Sequence, residues 1–138
     1  MNDYILKDLR EGMSESFCAV MTKEMEDSFR VLTGDINPLH YDDDFARENM
    51  QGSHVVFGML TASLLSTLAG VYLPGKYSLI HSIENISFLK PVRAGDKLNV
   101  KGVIDGVYEE LRMIKVRAEI RRLDDVVLKA KMKIIVLR

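Results

Sequence analysis

Between Gly58 and Tyr72 the chain carries one segment that is apolar round most of a helical circumference, with Met59, Leu60, Leu64, Leu65, Leu68 and Ala69 as its large members. A helix of that kind is expected to be buried on nearly every side, so the rest of the chain has to wrap it. Pro74-Gly75 stops it. The apolar run from Val55 to Leu73 is broken by Gly58, Thr61, Ser63, Ser66, Thr67 and Gly70 and has no flanking basic anchors. It reads as a buried helix, with no membrane insertion.

The wrapping material follows the helix. Leu79 to Leu89, Lys97 to Val107, Glu110 to Leu123 and Val126 to Leu137 read as strands, separated by turns at Gly95-Asp96, Tyr108-Glu109 and Asp124-Asp125. In the third, Ile114, Val116, Ala118 and Ile120 alternate with Lys115, Arg117, Glu119 and Arg121. The last repeats the device, with Leu128, Ala130, Met132, Ile134 and Val136 against Lys129, Lys131 and Lys133. One face is dry and one wet, as in an antiparallel sheet covered on one side. Upstream, Ser16 to Met21 alternates as a short strand; Thr22 caps a partly amphipathic helix over Glu24 to Leu32, which Gly34 ends. These elements predict an α+β class, an antiparallel sheet of about five strands wrapped around a central apolar helix. The chain has 138 residues, which leaves little room beyond a single domain over residues 1–138.

Composition excludes several functions. A formal net charge of -1, with acids and bases interspersed, supplies no cationic field for nucleic acid. The single cysteine, Cys18, rules out an internal disulfide and a cysteine-held zinc. Flanked by Phe17 and Ala19, with no base beside it, Cys18 reads as a small buried hydrophobe. The start carries acids and no long apolar run, so no signal peptide is read and a cytoplasmic setting is expected.

From Asp35 to Gly58 the periodic pattern dissolves into polar residues, with one helical turn expected at Asp42 to Asn49. Long loops inside a compact domain tend to be functional. Pro38 fixes its own φ and biases Asn37 toward extended geometry, so a stiffened turn joins Asp35 to His40 and lets both face one cavity. A carboxylate and an imidazole on either side of a water can take one proton from it and deliver another to carbon. In isolation such a pair reads as a turn cap and a polar loop residue. His54 reads as a surface-loop histidine and His81 as a structural one. Metal-ligand spacing and a phosphate-binding glycine loop are both absent.

The heptapeptide Gly34-Asp35-Ile36-Asn37-Pro38-Leu39-His40, followed by Asp42, Phe45-Ala46 and Gly58-Met59-Leu60, resembles the signature of MaoC-like dehydratases and (R)-specific enoyl-CoA hydratases. Phe88 to Val92 and Gly95-Asp96 extend the resemblance over nearly the whole chain. It implies a hot-dog fold and a hydro-lyase acting on a 2-enoyl or 3-hydroxyacyl thioester, carried by coenzyme A or acyl carrier protein, with no metal or redox cofactor. Asp35 and His40 would handle the water and the Gly58 N–H would polarise the thioester carbonyl, a role suited to a helix start. Asn37, Phe57 and Ser66 would line the substrate; Ser66 could instead bond back to the carbonyl of Ala62. The resemblance also implies a homodimer, with higher assembly left open. Where the family usually has histidine before Gly-Met-Leu, this chain has Phe57. Two alternatives stand beside the hydratase: an acyl-CoA thioesterase on the same fold, and a non-catalytic acyl-CoA-binding regulatory domain.

Overall fold

The computed structural model describes all 138 residues, and a sheet does wrap the apolar helix. Strands β1 (Ser14–Val20), β2 (Ser78–Phe88), β3 (Lys97–Tyr108), β4 (Met113–Arg122) and β5 (Asp125–Val136) pair antiparallel in the order β1-β3-β4-β5-β2. Helix α1 (Lys23–Thr33) follows β1, and the short α2 (Asp43–Asn49) and the central α3 (Gly58–Thr67) precede β2. Helix α3 runs on into a π-helical turn over Leu68–Tyr72, which packs on β1, β2 and β3. This is the hot-dog arrangement.

The alternation explains the register. Ile114, Val116, Ala118 and Ile120 of β4 are fully buried, opposite Ile134, Met132, Ala130 and Leu128 of β5, while the lysines and arginines between them face outward. Strand β4 starts at Met113 rather than Glu110, because Glu109–Leu111 form a 3₁₀ turn and Arg112 follows it with a left-handed φ of 49°. Cys18 is a correction: it is exposed, with Phe17 and Ala19 turned toward the core. Strand β1 is an edge strand with nothing packed on its outer face, so its alternation puts the cysteine there.

Helix α3 is covered on one side only. Leu60, Leu64, Leu65 and Leu68 are buried against the sheet, but Met59, Ser63 and Ser66 are exposed, so burial on nearly every side does not hold. Those three recur at helical spacing with Gly58 and Ala62, and this stripe borders a cavity rather than protein. Close approach of helix and sheet depends on Gly102 in β3, where a Cβ would lie 2.9 Å from a Leu68 methyl and 3.0 Å from a Val116 methyl. Both neighbours are fully buried. Gly102→Ala is therefore expected to destabilise the fold by about 1–3 kcal/mol through overpacking, read as a lower denaturation midpoint with unchanged m-value.

Thr22 caps α1 by accepting the Met25 N–H at 3.2 Å, and Gly34 ends it at φ 74°. The chain then runs on to Asp35, which lines the cavity.

Candidate active site

Local hydrogen bonds shape the segment from Asp35 to His40. The Asp35 Oδ1 accepts the Asn37 N–H at 3.1 Å, and the Asn37 Oδ1 accepts the Leu39 N–H at 3.0 Å. Asn37 is extended, as its following proline requires, and Pro38 opens a 3₁₀ turn that ends at His40. These nested side-chain turns leave the Asp35 Oδ2 open. The Asn37 amide oxygen is engaged in capping, and Asn37 is not among the residues that line the cavity shared by Asp35 and His40.

Asp35 and His40 meet at a cavity of about 710 Å³. One wall is the small and polar stripe of α3: Gly58, Met59, Ala62, Ser63 and Ser66. Opposite stand Ile80, Ile83, Ile86 and Phe88 of the edge strand β2, with Phe29 and Thr33 of α1 closing an end. A mostly apolar cleft with a few convergent polar groups suits an acyl chain with one reactive end. Ser66 shares the cavity with Asp35 but bonds to neither Asp35 nor Ala62; the helix back-bond is made by Ser63 to Leu60, at 2.6 Å. A second cavity of about 240 Å³ shares His40, Gly58 and Phe88 with the first. Thr61 lines it, and its buried Oγ1 has no hydrogen-bond partner.

The His40 ring is fixed twice. Its Nδ1 lies 2.8 Å from the Val55 carbonyl oxygen, which can only accept, so Nδ1 carries the hydrogen and Nε2 is free to accept one. Its face stacks on Phe57, centroid to centroid 4.1 Å at 29°. Phe57 is 3% exposed and also meets the Phe29 ring at 5.0 Å. It is both a wall of the cavity and the floor beneath His40.

Phe57 is also the N-cap of α3 and offers no side-chain acceptor. The Gly58 N–H therefore has no partner within the protein, at the positive end of a ten-residue helix. A Cβ at Gly58 would sit 3.0 Å from the Phe88 ring. Glycine lets that ring and a ligand approach the backbone together.

Two residues were not foreseen. His54 is half-buried rather than a free surface histidine: its Nδ1 lies 2.6 Å from the Asp43 Oδ1 and its Nε2 3.6 Å from the Glu26 Oε1. Glu26 is buried, and no periodicity in the chain announces it. His81 is exposed on β2, with its Nδ1 3.3 Å from the Ser82 hydroxyl. Lys90 pairs with Asp125 at 2.7 Å, and Arg93 donates to the Gln51 carbonyl at 2.7 Å. No helix is long and apolar enough to cross a membrane.

Against known proteins, the profile of the MaoC like domain matches residues 13–125. The chain is 32% identical to the 3-hydroxybutyryl-CoA dehydratase of Methylorubrum extorquens over 88% of its own length and 77% of that protein's. It is 28% identical to an (R)-specific enoyl-CoA hydratase of Rhodospirillum rubrum, over 83% and 78% of the two lengths. Among solved structures, an (R)-hydratase from A. caviae involved in PHA biosynthesis superposes with a TM-score of 0.88 at 27% identity, covering 94% of this chain and 98% of the other.

Proposed function

The chain belongs to the MaoC-like domain family, and on that premise we propose that it is a hydro-lyase that adds water across a 2-enoyl thioester with (R) specificity, or removes it from a 3-hydroxyacyl thioester. The observation that carries the reading is the meeting of Asp35, His40 and the unpaired Gly58 N–H at one largely apolar cavity. The relatives' names, hydratase and dehydratase, support the same reaction class.

The chemistry follows from the donors and acceptors. A water between the Asp35 Oδ2 and the His40 Nε2 gives one O–H to each, since both are acceptors. As Asp35 takes its proton, the water oxygen bonds to the β-carbon. The π pair then moves through the α-carbon to the thioester oxygen, where the Gly58 N–H stabilises the growing charge. Collapse of that enolate takes at the α-carbon the proton that Asp35 accepted, passed on through His40, so both side chains return to their starting protonation. The net change is addition of one H and one OH. Ser66 and the Phe57 ring flank the reacting end, and the β2 isoleucines receive the acyl chain. Coenzyme A or acyl carrier protein carries the substrate, and the reading calls for no other cofactor.

The test is loss of the enoyl-thioester absorbance of crotonyl-CoA without release of free thiol. Thiol release would replace the hydratase with the thioesterase alternative. Tight acyl-CoA binding with no turnover at any chain length would favour the binding domain.

The edge position of β2 supports a dimer. Its outer edge is unpaired, Leu79 and Phe88 are exposed at its ends, and its inner isoleucines form a cavity wall. A second copy at that edge would cover them. Sedimentation is expected to show a dimer, and a stable monomer at micromolar concentration would contradict this.

A further inference from the structure

Glu26 is the only buried residue of α1, and it is ionisable. Its helical neighbours Met25 and Phe29 pack on the core, so an apolar side chain at position 26 would serve packing without the cost of desolvating a carboxyl. That desolvation raises the Glu26 carboxyl above its usual range, with His54 opposing the shift. The Oε1 has no hydrogen-bond partner, and its nearest basic group is the His54 Nε2 at 3.6 Å. A buried, unsatisfied carboxylate in a native fold calls for a reason.

The reason lies on the far side of His54. Its backbone N–H and its Nδ1–H both donate to the Asp43 Oδ1, at 3.0 Å and 2.6 Å. Those bonds, the backbone one first, hold the Asp43 carboxyl below its usual range. The imidazole thus lies between the two carboxylates, and no group of such side chains is arranged to hold a metal ion. The next residue is Val55, whose N–H donates to the Leu39 carbonyl and whose own carbonyl takes the His40 Nδ1–H. Val56, Phe57 and Gly58 follow. A polar cavity of about 250 Å³ is bounded by Glu26 and His54 together with His40 and Phe57, so the cluster stands directly behind the His40 ring. Lys23, Asp27 and Arg30 of α1 and Tyr41 complete its wall.

We propose that Glu26, His54 and Asp43 are positioning residues for His40. With Asp43 bonding the His54 backbone N–H and Nδ1 and Glu26 facing its Nε2, they hold the Val55 carbonyl where it keeps His40 in the Nδ1–H tautomer. That leaves Nε2 free to accept from water. The kinetic consequence rests on the hydro-lyase reading; the tautomer does not.

The experiment is proton–nitrogen NMR of the protein labelled with ¹⁵N-histidine, at mildly alkaline pH, beside steady-state kinetics on crotonyl-CoA. His81→Gln and His40→Gln assign the three rings. Wild type is expected to show His40 protonated at Nδ1 and bare at Nε2. In Glu26→Leu and in His54→Ala the His40 signals should move toward a tautomer mixture. The kcat of each should fall about tenfold, the scale of losing a group that orients a functional histidine, with KM within about twofold. Glu26→Gln keeps a polar side chain of the same size facing the His54 Nε2, to which its amide N–H can donate, and should recover most of the rate. Glu26→Leu should melt no lower than wild type, so lost activity cannot be put down to lost fold. An unchanged His40 tautomer in Glu26→Leu, or a rate within about twofold of wild type in a protein that does turn over, overturns the proposal. If wild type is inactive on every enoyl thioester, the hydro-lyase reading fails while the tautomer spectra still decide the positioning role.

Discussion

Asp35→Asn and His40→Gln are each expected to lower kcat for crotonyl-CoA hydration by about a hundredfold or more, the usual scale for losing one acid/base partner. The structure separates chemistry from folding unusually well at Asp35. An asparagine there keeps an oxygen that can accept the Asn37 N–H, so the turn into Pro38 survives, but an amide cannot take a proton from water. Asp35→Asn should therefore fold and melt as wild type while turnover collapses. His40→Gln keeps a donor for the Val55 carbonyl but loses the stack on Phe57, a loss of about 0.5–1.5 kcal/mol in stability. Circular dichroism, melting and turnover on both variants check this. Near-normal turnover in either removes that residue from the mechanism, and a collapse of both fold and rate in Asp35→Asn would make its turn structural.

How much of this could be read from the chain alone depends on what each residue answers to. The dry faces of β4 and β5 were legible because both strands are central, with one face on the core and one in water. Strand β2 is less regular. It breaks step between Ile80 and Ser82 and again between Glu84 and Ser87, and Asn85 takes a φ of 56°. Its isoleucines lie only partly buried between the core and the cavity, and with the register broken no strict alternation marks them. The Asp35 to His40 turn was legible because Pro38 and the two Asx turns are local. Asn37 belongs to the same local logic, a short amide capping the free N–H two residues on. Glu26 was invisible. It sits among Lys23, Glu24 and Asp27, and a charged stretch of helix reads as a solvated face. His54 and Phe57 stand against α1 beside it, and no window of sequence along the helix contains them. The partners of His54 lie on α1 and α2, so its role is tertiary too.

Phe57 is where the chain departs from its family's usual histidine, and the structure sharpens the expected result of restoring it. The ring is 3% exposed, packed between Phe29 and His40. Phe57→His puts two ring nitrogens where only the polar cavity beside Glu26 and His54 offers a partner, so one nitrogen is left unsatisfied. The expected loss is about 1–3 kcal/mol, a large share of what holds a small domain together. Phe57→Leu keeps the site apolar and costs less, about 1–1.5 kcal/mol. Activity should run the other way. An imidazole at position 57 still offers His40 a flat face to stack on, and it leaves Asp35, His40 and Gly58 in place, so kcat should fall only modestly while KM changes with chain length. Leucine offers no flat face, and the His40 ring can tilt off its Val55 bond, so kcat should fall further. The more stable variant is thus expected to be the poorer catalyst. Denaturant melts and steady-state kinetics on short and medium enoyl-CoA substrates give the two orders directly. If stability and kcat fall in the same order, Phe57 is packing alone and its stack on His40 carries no catalytic weight.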